Sequence, residues 1–267
     1  MVVVKTGDVV GSITRGTTNP NRLRRCDRWL TGTRAWRWRH DQAPIAVDLG
    51  YGASPVTAVE LRDRLLAVCP TFHVVGIEID PQRVAAAHHL SGPGLTFVRG
   101  GFEVPLPGGR GAEIIRAFNV LRQYDETEVP AAWSLLQRRL TPDGVVIDGT
   151  CDELGRRATW IALERSGPVS LTISVALTAI DRPSDVAERL PKALIHRNIP
   201  GERIYDYLHA LDRAWTYHAP LSAYGRQQRF LATAHQLRSD GWPLCDSAHR
   251  WRLGEITVAW EAVRPRP

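Results

Sequence analysis

An α/β fold built on a mostly parallel sheet is predicted for this 267-residue chain by three observations. Apolar runs alternate with helix-patterned stretches from about residue 44 to residue 148. A glycine turn, Val47-Asp48-Leu49-Gly50-Tyr51-Gly52-Ala53-Ser54, follows the first apolar run directly. About 25 residues on, the run Val75-Gly76-Ile77-Glu78-Ile79-Asp80-Pro81 ends a second strand pattern on a carboxylate.

Each element follows from local pattern. Residues 44–49 read as a buried strand, and the two glycines permit a tight turn in which bare backbone approaches a ligand. A helix over 55–66 puts that turn at a strand end facing a helix N-terminus. A second strand over 72–77 delivers Glu78 to the same crevice, where a carboxylate can accept hydrogen bonds from both hydroxyls of a ribose. Residues 84–90 continue a helix and 95–99 form a short strand. A strand over 112–117, a helix over 126–140, a Pro142-Asp143-Gly144 turn and a strand over 145–148 complete five strand-helix units.

The spacing of the glycines separates two nucleotide-binding patterns. A dinucleotide fingerprint needs a third glycine where this chain has Pro55. Asp48, two residues before Gly50, followed by Gly52 and by Ser54 in place of a last glycine, instead fits the S-adenosylmethionine pattern. Over residues 44–150 the chain resembles the class I S-adenosylmethionine-dependent methyltransferases. The resemblance implies a Rossmann-like class I methyltransferase fold, a mostly parallel twisted sheet with helices on both faces, and S-adenosyl-L-methionine as cofactor. It implies that Asp48 helps hold the methionyl amino group, that Gly50, Gly52 and Ser54 pass beneath the cofactor, and that Glu78, with Ile79 beside it, takes the ribose.

In that family an acid meeting the adenine amine is usual where this chain has Gly101, which leaves Glu103, or Phe102 by stacking, as the adenine contact. The resemblance also places Asn119 and Arg116 near the transferred methyl. Asn119, Tyr124 and His196 are the candidate catalytic residues, and Arg116, Arg122, His196 and Arg197 the candidate substrate contacts. No N-P-P-[YF] tetrad follows the fourth strand, which argues against the amino-methylating enzymes that use one.

Composition bounds the class. With 43% apolar residues the chain can bury a substantial core. No run approaches the ~18 apolar residues that span a bilayer, and residues 1–10 are broken by Lys5 and Asp8, so a cytoplasmic protein without membrane partners is expected. Cys26, Cys69, Cys151 and Cys245 form no C-x-x-C pair, so reduced thiols and no metal are expected.

Charge is uneven. Residues 1–44 carry nine basic side chains against three acidic ones and so hold all of the net charge of +6. These arginines interleave with Trp29, Trp36 and Trp38, a pattern suited to phosphates and stacked bases. The plainer reading is an amphipathic helix opened by Asn19-Pro20, with Leu23, Cys26 and Leu30 inward and the arginines solvated. Lys5 and Lys192 are the only lysines among 34 basic residues, so arginine abundance carries little weight. A small-molecule acceptor is therefore preferred to nucleic acid.

Beyond residue 150 the pattern changes. Residues 159–164 and 169–177 flank Ser166-Gly167-Pro168 as a hairpin. Helices are expected over 184–194, 201–215 and 227–239, and a last strand over 255–262. The excess length predicts a C-terminal helical insertion at about 181–245, within which His196 and Arg197 stand between apolar flanks. The expected organisation is a basic helical extension (1–43), an S-adenosylmethionine-binding core (44–150) and a hairpin, substrate insert and last strand (151–267). The expected function is methyl transfer to an O, N or C nucleophile. An inactive cofactor-binding relative, another nucleotide-binding α/β protein and an aminopropyl-transferring enzyme stay open as alternatives.

Overall fold

The computed structural model describes residues 9–13, 16, 18–38 and 43–266. The expectations for residues 1–8, among them Lys5 and Asp8, and for Arg15, Arg39 and Asp41 lie outside the described residues. Two compact units are present. The first comprises Met1–Asp148, Glu153–Gly155 and Leu163–Gly167; the second comprises Gly149–Asp152, Arg156–Ala162 and Pro168–Pro267.

In the first unit β1 (Ile45–Leu49), β2 (His73–Glu78), β3 (Leu95–Arg99) and β4 (Ala112–Phe118) alternate with α2 (Val56–Leu66) and α3 (Pro81–Ala87). These are preceded by α1 (Arg24–Thr33) and followed by α4 (Val129–Gln137). β1 pairs in parallel with β2 on one side and β4 on the other, and β2 pairs in parallel with β3. Every residue of β1 and of β4 is buried, as fits central parallel strands covered on both faces. Counting β5 (Leu140–Cys151), β6 (Arg157–Glu164), β7 (Gly167–Val175) and β8 (Glu255–Ala259), the sheet has eight strands in the order β3-β2-β1-β4-β5-β6-β7-β8. The order reverses at β1, which opens a crevice at the carboxyl ends of β1 and β4, as in Rossmann-like α/β folds.

The amphipathic helix expected to open at Asn19-Pro20 begins instead at Arg24; Leu23, Cys26 and Leu30 are buried as its stripe predicts, while Arg34, expected in solvent, pairs with Glu164. Trp29 and Trp38 are buried as well, whereas Trp36 is 62% exposed and carries the Arg37 guanidinium over its ring.

The structure shifts several boundaries. The predicted 126–140 helix begins as a 3-10 turn and ends at Gln137. The predicted Pro142-Asp143-Gly144 turn lies inside β5, whose Pro142 and Asp143 are exposed at its start, where a missing N–H is tolerated. In the second unit the 184–194 helix is a 3-10 stretch, Pro183–Arg189, and a short α5 (Lys192–Ile195), separated at Pro191, because proline disfavours helix at the residue before it. The next two helices form as α6 (Arg203–Tyr217) and α7 (Arg226–Ser239), followed by α8 (Ala248–Trp251). Along α6, Ile204, Tyr207, Leu208, Leu211, Ala214 and Trp215 are buried at helical spacing. β7 and β8 pair antiparallel, and the last strand stops at Ala259, ahead of a 3-10 turn. Among the described residues no helix is long and apolar enough to cross a membrane.

Candidate cofactor crevice

The glycine turn after β1 takes the shape its residues allow. Gly50 and Gly52 have φ of 68° and 81°, in the left-handed region that favours glycine. A Cβ on Gly50 would stand 2.8 Å from Val120 Cγ2, and one on Gly52 would stand 2.9 Å from the Gly16 carbonyl oxygen. Gly50 donates its N–H to the Ile77 carbonyl at 2.7 Å, and Gly52 donates to Glu78 Oε2 at 2.9 Å. Turn and acid are thus joined directly. Glu78 Oε1 accepts from the Ile79 N–H at 2.9 Å, and Arg83 Nη1 lies 3.7 Å from Oε2. Gly50, Glu78, Ile79, Gly101, Phe102 and Tyr124 line one narrow cleft, together with Val10, Ser12, Leu49, Gly100 and Val120.

Asp48 lies on the other side of the turn. It lines a second narrow cleft with Thr18, Arg22, Tyr51, Thr57 and Asn119, and Leu49 and Gly50 border both. Arg116 donates through Nε to Asp48 Oδ1 at 3.0 Å, and Thr57 Oγ1 donates to Asp48 Oδ2 at 2.7 Å. Arg116 also donates to the Thr57 carbonyl at 2.8 Å and pairs with Asp27 of α1. Burial raises the Asp48 carboxyl above its ordinary value despite the neighbouring guanidinium. Arg116 is held protonated: desolvation opposes its charge, but the Asp27 and Asp48 carboxylates outweigh it.

Of the predicted site residues, six therefore line the first cavity, and Asp48, Gly50 and Asn119 line the second. Asn119 directly follows β4 with φ of 58°, an uncommon left-handed conformation for a residue other than glycine. Gly52 reaches the site through Glu78. Ser54 is half-buried ahead of α2, and Arg122 is half-buried in the 3-10 turn after Val120; neither lines either of these two clefts. Arg116 is fully buried between two carboxylates, a core position where no acceptor reaches it, so the substrate contact expected of it is corrected to a structural ion pair. Tyr124 is buried, its hydroxyl accepts the Ser12 N–H at 2.6 Å, and burial raises its pKa above the ordinary phenol value.

His196 and Arg197 belong to the second unit. His196 is exposed, 3.3 Å from Lys192 Nζ, and Arg197 pairs with Glu202 at 3.2 Å. Neither lines the open groove of that unit, about 780 Å³, which is bordered by Leu221, Tyr224, Gln228, Leu231, Ala232 and His235.

Sequence reasoning missed Asp27, Thr57, Val10 and Ser12. Asp27 had a legible signal: it lies four residues from Leu23 on the inward stripe of α1, and an acid on a buried stripe requires a buried cation. Val10 and Ser12 gave no comparable signal, since nothing in an apolar and glycine-bearing leader specifies where it packs.

No family model matches this sequence, and no curated protein matches it. Similar solved structures include an enzyme described as a pericyclic reaction enzyme, at 17% identity and a TM-score of 0.37, covering 47% of this chain and 30% of that one. A TehB-like S-adenosylmethionine-dependent methyltransferase from Corynebacterium glutamicum aligns at 20% identity and a TM-score of 0.33, covering 51% of this chain and 75% of that one. An amino pentose methyltransferase of calicheamicin biosynthesis from Micromonospora echinaspora aligns at 20% identity and a TM-score of 0.33, covering 55% and 68%. The chain spans less than a third of the length of the first of these structures.

Proposed function

We propose that the crevice at the carboxyl ends of β1 and β4 binds S-adenosylmethionine and that the chain transfers its methyl group to a small-molecule nucleophile. The observation that carries this reading is the hydrogen bond from the Gly52 N–H to Glu78, which locks the glycine turn to a ribose-competent carboxylate. The residues present fit such a ligand. Gly50 offers backbone without side-chain obstruction, and Leu49, Ile79, Phe102 and Val120 supply apolar walls. An ionised carboxylate has about four acceptor positions. Asp48 uses two toward Arg116 and one toward Thr57, which leaves one for an ammonium group in the second cavity.

When bound, the cofactor supplies an electrophilic methyl on a positively charged sulfur. The protein's own contribution is alignment and exclusion of water. Glu78 orients through its two oxygens, Asp48 orients an amine, and Asn119 presents a side-chain amide at the end of β4. Tyr124 serves as a wall and hydrogen-bond partner: its phenol is protonated near neutrality like any tyrosine, and burial favours that form further. The burial of Trp29 and Trp38 removes two of the three rings that a nucleic-acid surface would use, which favours a small acceptor. Acceptor selection is assigned to the helical stretch 181–245, and cofactor binding to residues 44–150.

Calorimetric titration with S-adenosylhomocysteine and, separately, NAD tests the reading. Saturable binding of the first and none of the second is expected. Binding of NAD alone would replace it with a dinucleotide protein.

A further inference from the structure

The adenine end of the crevice already holds a ligand-like group from the chain itself. Phe102 donates its N–H to the Val10 carbonyl at 2.8 Å, and the Val10 N–H donates to Glu103 Oε2 at 2.8 Å. Glu103 is fixed for this by its other oxygen, which accepts the Gly101 N–H at 2.7 Å. One residue thus presents an acceptor and a donor side by side to an N–H and a carboxylate. The edge of adenine presents the same pair, a ring nitrogen beside an exocyclic amine.

The contact is built around missing side chains. A Cβ on Gly101 would lie 2.0 Å from the Val10 carbonyl oxygen, so the acid absent from position 101 is absent where the leader passes. Gly11 has φ of 139°, and a Cβ on it would lie 2.9 Å from Ile79 Cδ1 and 3.0 Å from Tyr124 Oη. Further along, Ser12 donates to Tyr124, Ala53 donates its N–H to the Gly16 carbonyl at 3.0 Å, and Thr18 Oγ1 donates to the Tyr51 carbonyl at 3.1 Å. Val10 and Ser12 therefore touch the crevice at its Phe102 end, and Gly16 and Thr18 touch the glycine turn.

We propose that the segment from Val10 to Ser12 is an intramolecular competitor of the adenosyl group: Val10 occupies the seat formed by the Phe102 N–H and the Glu103 carboxylate, and cofactor binding requires its release. This rests on the cofactor reading above. A strap seated nine-tenths of the time lowers apparent affinity about tenfold. Gly11→Val places a branched side chain where neither the backbone angle nor the Ile79–Tyr124 wall admits one, and so unseats the strap while leaving Phe102, Glu103 and Glu78 intact.

The test compares S-adenosylhomocysteine titrations of the full-length protein and of Gly11→Val, with hydrogen exchange of the unaltered protein read at residues 9–13 and at Phe102. The variant is expected to bind about tenfold more tightly, and the ligand to speed exchange at residues 9–13 while Phe102 stays protected. Equal or weaker binding by the variant overturns the competition and leaves the cofactor reading standing. Slower exchange at residues 9–13 on ligand addition also overturns it, and decides the matter from the unaltered protein if Gly11→Val does not fold. No binding by either protein removes the cofactor reading and the competition together.

Discussion

Asp48 and Arg116 stand opposite each other on adjacent parallel strands, and the guanidinium donates to the carboxylate at 3.0 Å within a fully buried setting. Arg116 continues to Asp27 on α1, so one side chain ties the arginine-rich N-terminal helix to the strand that carries the glycine turn. Asp27 also pairs with Arg64 of α2. The acid expected to meet the cofactor is therefore held by the packing of three elements.

Replacing Arg116 by Leu should destabilise the protein by about 3 to 5 kcal/mol, because it leaves two buried carboxylates without their shared cation. Chemical denaturation of the purified variant measures this. An unchanged midpoint would mean that the buried ion pair contributes nothing to the fold.

Asp148 supplies a pH dependence with a definite sign. Its carboxyl is buried, accepts the Trp133 Nε1–H at 2.9 Å, and is pushed up to about 7 by desolvation. Between the ordinary value of 3.8 and about 7 the folded protein holds a proton that the unfolded chain has released. Stability from this group is therefore full at low pH, declines as pH rises through that window, and is level above it. Asp148→Asn keeps an acceptor for Trp133 and removes the titration. It should raise stability at pH 8 by up to about 4 kcal/mol and leave it nearly unchanged at pH 4. Melting temperatures of both proteins across that range check the prediction; parallel curves would contradict it.

The first unit was legible because its signals are local: buried strands read as apolar runs, and Gly50, Gly52 and Glu78 follow from turn and spacing. The end of α4 and the course of β5 were not, since Pro142 at an exposed strand start looks like a turn until its neighbours are known. Asp27 could have been found from its place on an apolar stripe. The path of Val10 could not, because its partners, Phe102 and Glu103, lie more than ninety residues away.

Gly50→Ala should cost about 1 to 2 kcal/mol, from the left-handed backbone angle and the close approach of Val120. The same change should weaken S-adenosylhomocysteine binding, since the turn borders both cavities. Denaturation and calorimetry on one preparation measure the two effects, and normal affinity in the variant would remove the turn from the ligand's path.

His196→Ala and Arg197→Ala should bind S-adenosylhomocysteine as the unaltered protein does, because both residues lie on the second unit and line neither cavity of the first. Loss of binding in a folded variant would contradict the assignment of cofactor binding to residues 44–150.

The most direct test is the affinity of Glu78→Ala for S-adenosylhomocysteine, measured by calorimetry beside the unaltered protein, with a melting curve to establish that the variant is folded. If Glu78 holds the ribose, affinity falls by about 1 to 3 kcal/mol, the scale of lost charge-assisted hydrogen bonds. Unchanged affinity in the folded variant, or no binding by the unaltered protein, would contradict the account.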